Sequence, residues 1–406
     1  MFPELLCNEA IIRRHHEAPF AAERELYLRH CFETGATLAS LRLKNRELIW
    51  IARLLPSDAA TGIDMAGLDE VVRRRKLIHT GATTGRRSID IARPWLRFLG
   101  WWRDPVVAFP FQERVDAFVH WMRDERGFTS STVIQWACRV KLFLQWCEDG
   151  KCQLDTLRPG DLDQYLIDGA LRWCRVTMRA VVGGLRIFLG FAASQGWCSA
   201  QLAQTLRAPR VYALESLPYA PGWPDVQRIL ASTLTDRPAD VRDRAILMLL
   251  SIYGLRRGEV VSLRLEQVDW PARMLRIYRL KRRQCQIYPL LPSVAEALAR
   301  YVDTVRPRTS YSEIFLGLRA PQRPLTPMAL YNMVNRKFNA LAIQTEHRGP
   351  HALRHACAAR LVAQGLSFKE IGDHLGHRST TSTMTYAKVN MASLREVGDF
   401  DLGELL

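Results

Sequence analysis

Apolar residues recur along most of the chain at intervals of three and four, the spacing that gathers them on one face of an α-helix. Over residues 37–55, Leu41, Leu48, Ile49 and Ile51 are interleaved with Lys44, Arg46 and Glu47. Residues 23–32 and 65–78 follow the same rule, and Gly35 separates the first two helices. The Trp- and Pro-containing stretch 94–110 is predicted as a connector. Helices are then predicted over 112–126, 131–148 (capped by Ser130 or Ser131), 161–168 and 176–194. The last carries Val181, Val182, Leu185, Phe188 and Phe191, and Gly183 and Gly184 within it predict a close helix contact. Pro209, Pro218, Pro221 and Pro224, with Arg207 and Arg210, mark 205–224 as an interdomain linker. A helix over 240–253 follows, ended by Gly254. The period then shortens to two: segments 274–280 and 286–290 predict a β-hairpin around a turn at Arg282 and Arg283. The remainder is predicted helical to about residue 396.

Two C-terminal segments carry sharper local signals. Pro350 suits a helix start and Gly365 a position just past its end. His351 and Arg354 then share one face, and Leu353, Cys357 and Leu361 the buried one. Ser367 and Glu370 form a capping box, Leu366 and Ile371 a hydrophobic staple, and Gly376 a left-handed cap. His377 therefore projects from a fixed helix terminus, with Tyr386 nine residues on and His374 read as a helix-surface residue. The cluster Arg73, Arg74, Arg75 and Lys76 leaves two readings open, a solvated helix end or a phosphate contact.

Composition narrows the partner. The chain has 406 residues, enough for two or three domains, and a formal net charge of +16. Such an excess favours a polyanion, nucleic acid first and an anionic membrane surface second. The most apolar run, 245–253, is about half of the roughly 20 residues that a spanning helix needs. The N-terminus has no basic region followed by an apolar stretch, so no secretory signal is expected. Nine scattered cysteines form no CxxC pair, which points to neither a zinc site nor a disulfide framework. They suit a reducing interior such as a bacterial cytoplasm.

Five short motifs then fall in order: Gly254-Leu255-Arg256 with Glu259, Lys281 eight residues before Pro289-Leu290, His351-Ala352-Leu353-Arg354-His355, Leu375-Gly376-His377, and Tyr386. In this, residues 240–390 resemble the catalytic domain of the tyrosine recombinase, or phage integrase, family. One departure is that Leu280 and Arg282 flank the lysine, where the family often has glycine. The helices over 110–200 resemble, more loosely, the family's core-binding domain, whereas residues 1–104 match none of its modules.

The resemblance implies a mainly α fold. An extra helical N-terminal module (1–104) would precede a helical, SAM-like core-binding domain (105–204). The linker (205–224), a mixed α+β catalytic domain with a small hairpin (225–390) and a tail (391–406), either folded onto its own domain or exchanged between subunits, would follow. It implies a mobile-element recombinase that cleaves and rejoins DNA through a 3′-phosphotyrosine, with no metal, ATP or other cofactor. Tyr386 would be the nucleophile, Arg256 and Arg354 would bind the non-bridging oxygens, and Lys281 would protonate the leaving oxygen. His351 would manage the tyrosine proton, His377 would hydrogen-bond the phosphate, and Glu259 would support Arg256. Arg207, Arg210, Arg282 and Arg283 would lie on the DNA. Double-stranded DNA, a tetramer of like subunits and an accessory protein are the implied partners. The implied location is the bacterial cytoplasm and its nucleoid, with no membrane. Two other readings stand beside this one: a type IB topoisomerase of the same chemistry, and a catalytically silent DNA-binding protein.

Overall fold

The computed structural model describes residues 1–406 except 79–83, 105–108, 151, 213–219, 280–283, 346–347, 378–382 and 384–406, and the backbone alone of Thr84. The chain divides into two compact units, one of Met1–Asp104 with Ser216–Leu406 and the other of Pro105–Glu215.

The first unit begins with helices α1 (Phe2–Leu5), α2 (Glu9–Glu17), α3 (Ala21–Glu33), α4 (Leu38–Leu54), α5 (Met65–Ile78) and α6 (Thr84–Phe98). Asn8 caps α2 by accepting from the Ala10 amide at 2.9 Å, and Thr37 caps α4 through Ser40 at 3.3 Å. Leu28, Leu41, Leu48, Ile51, Leu68 and Trp95 form a shared core. The connector expected from residue 94 is instead the end of α6, which contains Pro94. A mid-helix proline forfeits a backbone hydrogen bond. Burial of Ile91, Ala92, Trp95 and Leu96 on one face outweighs that loss. The basic cluster of α5 splits: Arg73 and Arg74 pair with Glu70 in solvent, while Arg75 is buried, 2.7 Å from Glu47 and over the Trp50 ring. Neither reading of the cluster foresaw a buried Arg75.

The second unit is helical: α7 (Gln112–His120) running into a π turn (Trp121–Glu125), α8 (Ser130–Asp149), α9 (Pro159–Ala170), α10 (Arg175–Ser194) and α11 (Leu202–Thr205). The N-cap position of α8 falls on Thr129 rather than on Ser130 or Ser131. Phe118, Phe143, Leu144, Leu185 and Phe188 fill its core. Gly184 faces Trp136 of α8, where an added Cβ would lie 3.8 Å from the indole; nothing lies that close to Gly183. By length and composition α10 could cross a membrane, a property the sequence reading assigned to no segment. Here its apolar residues build the unit's core.

The rest of the first unit comprises α12 (Trp223–Ala231), α13 (Pro238–Ile252), α14 (Arg257–Val261), β1 (Val268–Asp269), β2 (Met274–Arg279), β3 (Gln284–Pro289), α15 (Pro292–Thr304), α16 (Pro327–Ala340), α17 (Pro350–Ala363) and α18 (Phe368–Leu375). The predicted linker is trimmed at both ends, since Thr205 closes α11 and Trp223 opens α12. The strands form an antiparallel sheet in the order β1-β2-β3, with Met274 opposite Pro289 and Arg279 opposite Gln284. The second hairpin strand is shifted from the expectation, running from Gln284 to Pro289 rather than 286 to 290, and β1 adds a strand that the periodicity did not reveal. Between α15 and α16 the chain is irregular rather than helical, with bridges from Glu313 to Arg264 and from Leu316 to Pro324. The apolar helix α13 runs through the core, where Ile246, Leu249 and Leu250 join Leu275, Ile277, Leu298 and Phe338.

Candidate active site

Four segments far apart in sequence meet at the C-terminus of α18. The first is the turn after α13. Gly254 there has φ +59°, a left-handed conformation that L-residues avoid. A Cβ on it would also fall inside van der Waals contact with Leu375. The turn delivers Arg256 to the N-cap of α14, where the Glu259 carboxylate reaches back. Glu259 accepts from the Arg256 amide at 2.8 Å through Oε2 and from Arg256 Nη1 at 2.9 Å through Oε1. Arg256 Nη2 donates to the Gly376 carbonyl at 3.0 Å.

The second segment is α17, with Pro350 in its first turn, as expected, and Gly349 as its N-cap. Arg354 is only 2% exposed. Its guanidinium donates to the Leu375 carbonyl at 2.8 Å and to the Gly254 carbonyl. Arg256 and Arg354 therefore reach successive carbonyls, 376 and 375, and lie side by side. His351, one turn before Arg354, is exposed and stacks on His355 with ring centroids 5.4 Å apart.

The third segment is α18 and its cap. Ser367 and Glu370 form the expected capping box, with the Ser367 amide 2.8 Å from Glu370 Oε2. Gly376 adopts the expected left-handed cap at φ 64°. His377 follows, its Nδ1 2.8 Å from Thr383 Oγ1. Burial, then the fields of Arg354, Arg256 and Arg279, push its pKa down to about 4. His374, read from sequence as a surface residue, is half-buried and packs edge-on against Tyr288 with centroids 5.5 Å apart.

The fourth segment is the hairpin. Along β2 exposure alternates, so Leu275, Ile277 and Arg279 point inward. Arg279 is 1% exposed and donates to Glu259 Oε2 at 2.6 Å. Sequence reasoning missed it. The signal was there: an arginine in register with two core residues needs a buried carboxylate, and Glu259 is one. Two guanidinium groups, of Arg256 and Arg279, thus share one carboxylate, and with Arg354 on the neighbouring Leu375 carbonyl the cluster keeps a net positive charge. Within it Arg256 and Arg354 can hold a phosphate diester through forked, charge-assisted hydrogen bonds.

Residues 224–393 match the sequence model of the Phage integrase family. The integrase/recombinase y4rA of Sinorhizobium fredii is 34% identical over 286 residues, covering 70% of this chain and 69% of y4rA. The chain belongs to the phage integrase family, the tyrosine recombinases. Its relatives include tyrosine recombinase XerD of Lacticaseibacillus casei, 24% identical over 67% of this chain and 92% of XerD. The fold is that of a lambda integrase dimer bound to a COC′ core site, at TM-score 0.53 and 16% identity over 68% of this chain and 94% of that one. It is also that of XerH recombinase bound to difH, at TM-score 0.55 and 14% identity over 88% and 96%. As a tyrosine recombinase the protein is a DNA strand transferase. Of the residues expected to serve it, Arg256, Arg354, His377 and Glu259 are brought together, and His351 lies on the helix of Arg354. Lys281, Arg282, Arg283 and Tyr386 lie outside the described residues, as does the tail 391–406. Arg207 and Arg210, in the second unit, are exposed beyond Leu206, whose carbonyl accepts from Arg186 Nε at 3.2 Å.

Proposed function

We propose that this tyrosine recombinase performs site-specific recombination by transesterification at a DNA phosphodiester, with Tyr386 as the nucleophile. The phenolic oxygen attacks phosphorus, the bond to the 5′ oxygen breaks, and a 3′-phosphotyrosine conserves the bond energy. A second 5′-hydroxyl then attacks and reseals the strand. Arg256 and Arg354 fork onto the non-bridging oxygens, Lys281 protonates the departing 5′ oxygen, and His351 takes the tyrosine proton. A free tyrosine titrates near 10, so a positive field or a base is required at neutral pH. His377, neutral there, donates a hydrogen bond to the phosphate. Charge stabilisation comes from guanidinium groups fixed in advance, so the scheme needs neither ATP nor a metal.

The observation that carries this reading is the placement of Arg256 and Arg354 on consecutive carbonyls, 3.0 and 2.8 Å away, immediately before His377. An incoming phosphate offers both forks a stronger acceptor than a carbonyl. Arg207, Arg210, Arg282 and Arg283 would contact the backbone of duplex DNA. Four protomers would pair two sites and exchange residues 391–406. The module of residues 1–104 would serve a mobile element, binding accessory DNA or a helper protein.

The test is a nicked suicide duplex bearing the protein's own site, taken from DNA flanking its gene, with no added metal or ATP. A covalent protein–DNA adduct is expected on a denaturing gel for the wild type and not for Tyr386→Phe. An adduct with both would move the nucleophile elsewhere. Tight binding with no adduct from either would leave a DNA-binding protein.

A further inference from the structure

We infer that Arg279 is a positioning residue for the general-acid step, fixing the hairpin end from which Lys281 follows two residues on. The inference rests on the strand-transfer reading above.

Arg279 closes β2 and donates four hydrogen bonds to four partners. Nε donates to Gln286 Oε1 at 2.9 Å, and Nη1 to Glu259 Oε2 at 2.6 Å. Nη2 donates to the His374 carbonyl at 3.0 Å and to the Tyr288 hydroxyl. Tyr288 in turn donates to the same His374 carbonyl. One side chain thereby ties the hairpin to the carboxylate that orients Arg256 and to the helix end that carries His377. Gln286 adds a second tie, its amide 2.6 Å from the Asp373 carbonyl. With four of its five donors engaged and 1% of its surface exposed, Arg279 acts through its neighbours rather than on substrate.

Two features argue that this clamp serves geometry. Burying a guanidinium whose one carboxylate is shared with Arg256 adds little stability, because desolvation offsets the attraction. The cap of α18 is also shaped around it: a Cβ at Gly376 would sit 2.6 Å from Arg279 Nε. That glycine therefore both takes the left-handed turn and vacates the space that the guanidinium fills.

The test separates the leaving-group step from the rest of the chemistry. Full-length wild type, Arg279→Met, Arg279→Lys and Lys281→Met are assayed for single-turnover adduct formation. One suicide duplex has the normal 5′ oxygen at the scissile phosphate, and a second has a bridging 5′ sulfur. A thiolate leaves without a proton, so the sulfur substrate bypasses the general acid. Both Arg279 variants should bind DNA like wild type yet cleave the oxygen substrate on the order of 10- to 100-fold more slowly, as misplacing a catalytic group by about 1 Å does. On the sulfur substrate both should return to within about threefold of wild type, as Lys281→Met should. Arg279→Lys keeps the charge beside Glu259 and loses the fork, so it reports on positioning even if Arg279→Met does not fold. An equal defect on both substrates would overturn the inference, and so would wild-type rates on the oxygen substrate. A wild type that forms no adduct on either substrate would instead remove the strand-transfer reading, and this inference with it.

Discussion

Glu259→Gln exchanges a carboxylate for an amide of the same shape at the centre of the site. Oε2 accepts two hydrogen bonds, from the Arg256 amide at 2.8 Å and Arg279 Nη1 at 2.6 Å, and Oε1 accepts one, from Arg256 Nη1 at 2.9 Å. The amide oxygen keeps the larger set if it takes the Oε2 position. The amide NH2 then faces Arg256 Nη1, donor against donor. One charge-assisted hydrogen bond is lost, worth about 1.5–3 kcal/mol. Arg279, 2% exposed at its side chain, also loses the carboxylate it pairs with. Removing one partner of a buried pair costs about 3–5 kcal/mol. Arg256 is a quarter exposed and recovers most of its loss through solvation, so the expected total is close to the Arg279 cost, about 3–5 kcal/mol. Urea unfolding followed by circular dichroism should show this as a lower midpoint at unchanged slope. In the suicide-duplex assay the freed Arg256 should slow cleavage by about 10²-fold, the loss of one preorganised donor, with DNA affinity retained. A stability change below about 1 kcal/mol would refute the argument, since it would mean that the carboxylate charge is not what holds the two guanidinium groups.

Other consequences follow from single positions. Gly254→Ala forces a Cβ into the left-handed region and onto Leu375, and should destabilise by about 2–4 kcal/mol in the same titration. It should also slow cleavage, because Arg354 donates to the displaced Gly254 carbonyl. For His377 the folded pKa, about 4, lies below the ordinary 6.5, so the unfolded chain binds the proton first. Its contribution is complete above pH 6.5 and falls away as pH drops toward 4; nitrogen NMR of the free protein should find the ring neutral at pH 6. Phe188→Ala opens the core of the helical unit, where Phe188 is fully buried between Phe118 and Phe143. It should cost about 3–5 kcal/mol by urea unfolding of the full chain.

Local signals were legible where one residue type has one local use. Pro350 opening α17, the Ser367–Glu370 box and the left-handed Gly376 depend on backbone geometry a few residues either way, so sequence placed them correctly. Arg256, His351, Arg354 and His377 were legible as spaced motifs. Helix α6 was not, because Pro94 is a local veto that burial of Trp95 and Leu96 overrides only once a core exists. His374 was misread for a related reason, since its ring is covered by Tyr288 from a strand 86 residues away.

The sequence by itself determined the family, the helical periods, the caps and the identity of the charged groups, because these are written in residue type and short spacing. Tertiary structure alone decided which of those charges meet. The pairing of β2 with β3, Arg279 opposite Gln284, is the register in which Arg279 turns inward. In the opposite register Arg279 would face solvent, since a one-residue slip exchanges the faces of a strand. Glu259 joins it to Arg256 only because the chain brings positions 20 residues apart to 2.6 Å. Short-range preference cannot encode that distance; the burial of α13 and the sheet in one core sets it.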